Sequence, residues 1–318
     1  MDLFKPIVAA DRLHHNFLAT IKPNASGVRE ILSGWADGFV DRDGKFVTEF
    51  QTTYNSSFWE LYLFAVLKHL GIKVDFSYGA PDFVAADYPF AVEAAIAGHA
   101  QDDVPEWEKT FEGITDMNVE AAQLQSTIRL SNALMGKSDA HKKRYAALPH
   151  VAGRAYVVAI ANYGRQDFNF LGDVAMQRLL FDPENKKQAL KANGSAVPLG
   201  LFQSDDYAHI SAVVFSSVAT FGKARALGKH EGEFVFFATR IRNNAEPIRI
   251  VCAKRRVQRE PHRRSQALYQ SLRNISNRRE PFRRPGNLAL CYEGGRHLCR
   301  VFTPGRRSLH AIGTSDLQ

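Results

Sequence analysis

The stretch "PDFVAADYPFAVEAA", residues 81–95, places two acids inside what are otherwise two short strand-like segments. The first segment, "PDFVAA", begins with a proline, which is tolerated at the first position of a strand. If it pairs with "PFAVEAAIA" as a hairpin around "AADYP", Asp82 and Glu93 approach each other at one end of a sheet. Two neighbouring carboxylates repel each other and a buried charge is costly. The stretch therefore predicts a site for a divalent cation.

The pattern around this stretch predicts an α/β domain. Before it, "SSFWELYLFAVLKHLG" has the apolar spacing of a helix, with Ser56 or Ser57 as its cap and Gly71 at its end. After it, residues 118–137 predict a second helix and "RAYVVAIANY" a central, buried strand. Further segments predict a short helix, "DVAMQRLLF", and two late strands, "HISAVVFSSVA" and "GEFVFFATR". This order favours a single mixed sheet flanked by helices.

Three pieces of sequence resemble the PD-(D/E)xK nuclease superfamily: "FWELYLFAVLKHLG", then "PDFV", then "FAVEAAIA". The resemblance implies a restriction-endonuclease-like core and metal-dependent hydrolysis of phosphodiester bonds, in DNA more than in RNA. It makes Asp82 and Glu93 ligands of Mg²⁺ or Mn²⁺, ions that favour oxygen ligands with open positions. It also implies that Glu60, on the helix, is an assisting catalytic acid.

The chain departs from the superfamily pattern at the motif lysine, where Ala95 stands two residues after Glu93. That lysine orients the attacking water or stabilises charge in the transition state, and alanine can do neither. Some members of the superfamily carry the cation on a neighbouring helix, and the candidates here are Lys137, Arg129 and Lys142. We assign Lys137 to the catalytic set. The alternative is a catalytically inactive nuclease-fold protein that acts as a nucleic-acid-binding or assembly module.

Basic residues around the second helix are the candidates for contacts with a nucleic-acid backbone. The run "KSDAHKKRY" contains Lys142, Lys143 and Arg144, and Arg129 lies earlier on the same predicted helix. A solvated helix end explains the same run without any ligand.

The acids also have plain structural explanations. Asp82 after a proline fits a turn or a strand end, and Glu93 fits an edge strand that faces solvent. Glu60 fits the polar side of its helix. The order in which the three acids occur is what favours the metal site.

The positive charge of the chain lies in its last part. Residues 255–318 contain 14 Arg, no Lys and four acids, whereas residues 1–254 contain 27 Lys and Arg against 29 acids. We therefore predict a lead-in over 1–50, a nuclease-like domain over 51–254 and an Arg-rich tail over 255–318. The tail is explained as a disordered basic segment, as a phosphate-binding arm or as out-of-frame translation. We favour the last, because arginine codons of the form CGN give alanine or aspartate codons when read one base later.

The remaining features of the sequence narrow the class of protein. The three cysteines lack CxxC spacing, which argues against a zinc site and against a disulfide framework. No secretory signal and no long apolar span is visible, so we expect a cytoplasmic protein without a membrane partner.

Overall fold

The structure of this chain is a computed structural model. It describes residues 1–99, 104–105, 107–108, 118–164, 171, 173–217, 219–228, 235–242, 245–253 and 288–292, and for the last three of these ranges it describes the backbone. No helix in these ranges is long and apolar enough to cross a membrane.

Seven α-helices and ten β-strands occur within the described residues. The helices are α1 His15–Thr20, α2 Ser26–Ala36, α3 Phe46–Thr52, α4 Tyr54–His69, α5 Val119–Ala140, α6 Val174–Phe181 and α7 Phe221–Leu227. The strands are β1 Val74–Asp75, β2 Phe83–Ala85, β3 Phe90–Ala97, β4 Ala155–Asn162, β5 Gln188–Leu190, β6 Ala196–Pro198, β7 Ala212–Ser216, β8 Val235–Arg242, β9 Ala245–Ala253 and β10 Leu288–Tyr292.

The chain divides into two compact units, and the larger contains a mixed sheet. This unit comprises Leu67–Ser217 and Arg264–Gln318, and its strands lie in the order β1-β2-β3-β4-β7-β10. The pairs β1–β2 and β2–β3 are antiparallel, and the pairs β3–β4, β4–β7 and β7–β10 are parallel. The prediction of an α/β fold with a mixed sheet flanked by helices is confirmed.

Strand β4 is apolar over nearly its whole length, which suits its central place in the sheet. Every residue from Ala155 to Asn162 is buried, and β3 and β7 pair with it on either side. Parallel strands need a long crossover connection, and α5 belongs to the connection between β3 and β4. The prediction for "RAYVVAIANY" is confirmed.

Helix α5 packs against the sheet through residues spaced three and four apart. Asn118 caps it, because the Asn118 side chain accepts a hydrogen bond from the backbone N–H of Ala121. Leu130 and Leu134 are fully buried in the core of this unit, together with residues of β3, β4, α6 and β7. The same spacing places Lys137 one turn after Leu134, at the end of α5 that continues into a π-helical turn, His141–Tyr145.

The smaller unit, Met1–Val66 with Val218–Arg263, is built mainly from helices. Residues 1–50, expected as a partly helical lead-in, contribute α1, α2 and most of α3, with Phe17 and Phe50 completely buried. Helices α2 and α7 approach so closely that a Cβ atom on Gly228 would overlap the backbone of Gly27. Strands β8 and β9 form an antiparallel pair in the same unit.

The predicted boundaries at residues 50 and 254 stay a prediction. Most of the Arg-rich segment 255–318 lies outside the described residues. Within it, β10 pairs in parallel with β7, with Leu288 opposite Ala212.

Candidate active site

Glu93 lies on β3, and Asp82 directly precedes β2, the strand that pairs with β3. In the antiparallel pair of β2 and β3, Phe83 is opposite Val92, and one further step of the same register places Asp82 opposite Glu93. Cβ atoms of opposite residues in such a pair are about 4.5–5.5 Å apart. The half-buried Asp82 carboxylate also accepts a hydrogen bond from the backbone N–H of Ala94, at 2.7 Å to Oδ2. The hairpin thus brings both carboxylates to one place.

Glu93 is a buried acid whose two carboxylate oxygens have different surroundings. The residue as a whole is 3% exposed, and every other residue of its strand is apolar. Oε1 accepts a hydrogen bond from Lys137 Nζ at 2.7 Å and a longer one from the Tyr145 hydroxyl at 3.4 Å. Oε2 is buried, and no partner for it occurs among the described residues. Since unpaired buried oxygens are costly, Oε2 is the atom in this cluster that most needs a ligand.

Lys137 places a positive charge beside Glu93, which Ala95 cannot do. The two side chains form an ion pair in which Glu93 is 4% exposed and Lys137 is 31% exposed. Burial lowers the pKa of Lys137, but the charge and hydrogen bond of Glu93, with the charge of Asp82, outweigh burial and leave the pKa raised. Lys137 is therefore a firmly protonated ammonium group, and of the three candidate cations it is the one that contacts Glu93.

Two tyrosines that the sequence analysis did not single out complete the cluster. Tyr145, at the end of the π-helical turn, is buried, and burial followed by the charge of Glu93 raises the pKa of its phenol. Tyr156, on β4, donates its hydroxyl to the backbone carbonyl of Lys137 at 3.2 Å, and burial also raises its pKa. Both phenols are thus neutral donors at physiological pH. In the sequence, Tyr145 directly follows the basic run and Tyr156 lies inside an apolar strand, and these positions were the available clues.

Beside Tyr145, the π-helical turn carries three exposed basic residues. Lys143 pairs with Asp139 at 3.0 Å, and both side chains are exposed. The Lys142 ammonium lies 5.5 Å from the centre of the Tyr207 ring, and the Arg144 guanidinium lies 5.3 Å from the centre of the Tyr145 ring. The structure therefore places the predicted phosphate contacts on the turn that carries Tyr145. Their role in binding a nucleic acid stays a prediction.

Arg129 holds the end of β3 through hydrogen bonds to the backbone. Its guanidinium donates to two backbone carbonyls that follow β3, those of Gly98 at 2.7 Å and His99 at 2.6 Å. These bonds fix the end of β3 against α5. The predicted contact of Arg129 with a nucleic acid stays a prediction, with part of its donor capacity already engaged.

Glu60 lies on the part of α4 that belongs to the smaller unit, whereas Asp82, Glu93 and Lys137 belong to the larger. Its side chain is half-buried. The role of Glu60 as an assisting acid stays a prediction.

Two histidines pack beneath the end of α5. The rings of His141 and His209 stack with their centres 5.1 Å apart, and His209 Nε2 lies 3.0 Å from the Ser138 hydroxyl oxygen. Burial lowers the pKa of His141, and burial with the nearby His141 and Lys142 lowers the pKa of His209 to about 4. Both rings are therefore neutral at pH 7. His209 contacts the side chain of Ser138, the residue after Lys137, without adding charge.

The residues present fit a hard divalent cation held by few protein ligands. In the described ranges no group of three or more His, Cys, Asp or Glu side chains is arranged to hold a metal. Asp82 and Glu93 offer two carboxylates, and Mg²⁺ is commonly bound by one or two carboxylates, several waters and substrate phosphates. The buried Oε2 of Glu93 suits such an ion.

Comparisons of this chain with protein-family models, with curated proteins and with solved structures found no match. The resemblance to PD-(D/E)xK nucleases therefore depends on the residues of the site and on the order of the elements that carry them.

Proposed function

We propose that this protein is a metal-dependent nuclease that hydrolyses phosphodiester bonds in DNA, built on a restriction-endonuclease-like core. Asp82 and Glu93 would hold Mg²⁺ or Mn²⁺, and Lys137 would supply the cation that Ala95 lacks. The observation that carries the proposal is the buried Oε2 of Glu93, which has no partner in the described part of the chain while Oε1 is paired with Lys137.

The residues of the site suit hydrolysis of a phosphodiester in three ways. Asp82 and Glu93 provide the negative charge that draws a divalent cation to one end of the hairpin. Lys137, protonated and 31% exposed, can donate to an oxygen that gains negative charge as the phosphorus is attacked. A divalent ion held by Asp82 and Glu93 would supply an activated water and would neutralise charge on the phosphate. Lys142, Lys143 and Arg144 can hold the flanking phosphates.

The first test is calorimetric titration of the full chain with Mn²⁺. Asp82→Ala and Glu93→Ala should each abolish binding, because each removes one of the two carboxylates that would hold the ion. Asp139→Ala is the matched control, since Asp139 is an exposed acid two residues from Lys137, and it should bind as the wild type does. Binding that survives in both site variants would refute the metal site.

One observation favours the rival function, a nucleic-acid-binding or assembly module without catalysis. Lys137 already neutralises the charge of Glu93 through a 2.7 Å ion pair. A buried carboxylate that is paired in this way needs no metal to balance its charge. This rival predicts no Mn²⁺ binding by the folded wild type, together with DNA binding that weakens with added salt. Replacement of Lys142, Lys143 and Arg144 by glutamine would then reduce the DNA affinity.

A further inference from the structure

Lys137 and Tyr145 both donate to the same oxygen of Glu93, and this limits the number of metal ions that the site can hold. Lys137 Nζ at 2.7 Å and the Tyr145 hydroxyl at 3.4 Å both donate to Oε1. Oε2 has no hydrogen-bond partner within the described ranges. The carboxylate thus has one oxygen engaged by protein donors and one that is buried without a hydrogen-bond partner in the described part of the chain.

Tyr145 is well placed to keep Glu93 in this orientation. It is 8% exposed and packs in the core of the sheet unit with Leu134 and Tyr156, so its ring has little freedom to move. It ends the π-helical turn that follows α5, while Lys137 lies on α5 itself. Glu93 is therefore held from two successive segments of the chain. Isolated π-helical turns are often found at functional sites.

An ion pair on Oε1 restricts the geometry of metal binding. In two-metal sites the ions lie about 3.5–4 Å apart and stabilise both the attacking and the leaving oxygen. A carboxylate that bridges two such ions through its two oxygens needs both oxygens to face a metal. Here Oε1 of Glu93 faces an ammonium and a phenol, and Oδ2 of Asp82 accepts the Ala94 N–H. A second divalent cation at Oε1 would have to displace Lys137, a cation whose charge repels it.

We infer that Tyr145 is a positioning residue that, with Lys137, engages Oε1 of Glu93 and limits the site to one divalent cation bound through Oε2. This inference rests on the proposed function, because it concerns the same metal site. It adds a residue that neither the motif nor the resemblance assigns.

The test combines calorimetry with electron paramagnetic resonance on the full chain loaded with Mn²⁺. The wild type should bind one ion and give the spectrum of an isolated Mn²⁺. Tyr145→Phe keeps the ring and removes the hydroxyl, so it should still bind one ion but about tenfold more weakly, as loss of a hydrogen bond to a ligand typically does. Tyr207→Phe is the control, because Tyr207 lies beneath Lys142, and it should leave the affinity unchanged.

The possible failures are distinguishable. Binding of two ions with a spin-coupled spectrum, or equal Mn²⁺ affinity in wild type and Tyr145→Phe, would overturn the inference and leave the nuclease proposal standing. Absence of Mn²⁺ binding in the folded wild type would overturn the nuclease proposal itself, and the single-ion inference with it.

Discussion

Replacement of Lys137 by methionine removes the positive charge from the ion pair and keeps most of the side-chain volume. Glu93 would then remain buried with the Tyr145 hydroxyl as its nearest donor, at 3.4 Å. Breaking a fully buried ion pair costs about 3–5 kcal/mol, and losing an exposed one costs about 0–1 kcal/mol. Because Glu93 is 4% exposed and Lys137 is 31% exposed, we expect the free energy of unfolding to fall by about 2–3 kcal/mol.

The assay is a double-mutant cycle measured by urea denaturation in the presence of EDTA. Glu93→Gln alone should cost less than Lys137→Met, since the partly exposed ammonium can be hydrated once its partner is neutral. The double variant should be more stable than the sum of the single effects predicts, with a coupling of about 2 kcal/mol. Lys143→Met, which removes an exposed ion pair with Asp139, should leave the denaturation midpoint unchanged. Single effects that add to within about 0.5 kcal/mol would refute the coupling of Lys137 with Glu93.

Three further predictions concern stability, pH and metal removal. Gly228→Ala should destabilise the smaller unit by about 1–3 kcal/mol in urea denaturation, because the new Cβ would overlap the backbone of Gly27. Gly34→Ala is the control and should not destabilise the unit, because Gly34 lies in helix α2 with open space around it. The pKa of His209 is about 4 when folded and 6.5 when unfolded, so the stability from its neutral ring is present above pH 6.5 and is lost as the pH falls towards 4. Between pH 7 and pH 4.5, the free energy of unfolding should therefore fall by about 1 kcal/mol less in His209→Gln than in the wild type. The difference is smaller than the pKa shift alone implies, because the ring is half-exposed. An equal fall in both proteins would contradict this. EDTA should abolish DNA cleavage and excess Mg²⁺ should restore it, whereas cleavage that persists in EDTA would exclude the proposed role of the metal.

The elements around the site could be predicted from the sequence because their apolar patterns are strong and local. Strand β4 is a continuous apolar run, and α4 and α5 have regular helical spacing. Helix α5 extends three residues beyond its predicted end at residue 137, into a π-helical turn that its polar residues did not reveal. The exposed pair β5 and β6 was missed because alternating exposed residues resemble a loop.

The contacts within the site could be predicted only in part. The pairing of Asp82 with Glu93 follows from a short hairpin, so a local pattern contained it. The choice of Lys137 over Arg129 or Lys142 depends on which side of α5 faces β3, and that is set by packing across 44 residues of sequence. Tyr145 was not predicted, because its place beside Glu93 depends on the π-helical turn that follows Ala140, and that turn was not foreseen from the sequence.

The most direct measurement of the proposed function is the rate at which the full chain cleaves supercoiled plasmid DNA in Mg²⁺, compared with Glu93→Gln. Glutamine keeps the size of the side chain and removes its charge, so the fold should persist while the ion is lost. We predict cleavage by the wild type and a loss of at least a hundredfold in the variant. Equal rates for the two proteins, or no cleavage by a folded wild type that binds Mn²⁺, would contradict the assignment of Asp82, Glu93 and Lys137 as a catalytic site.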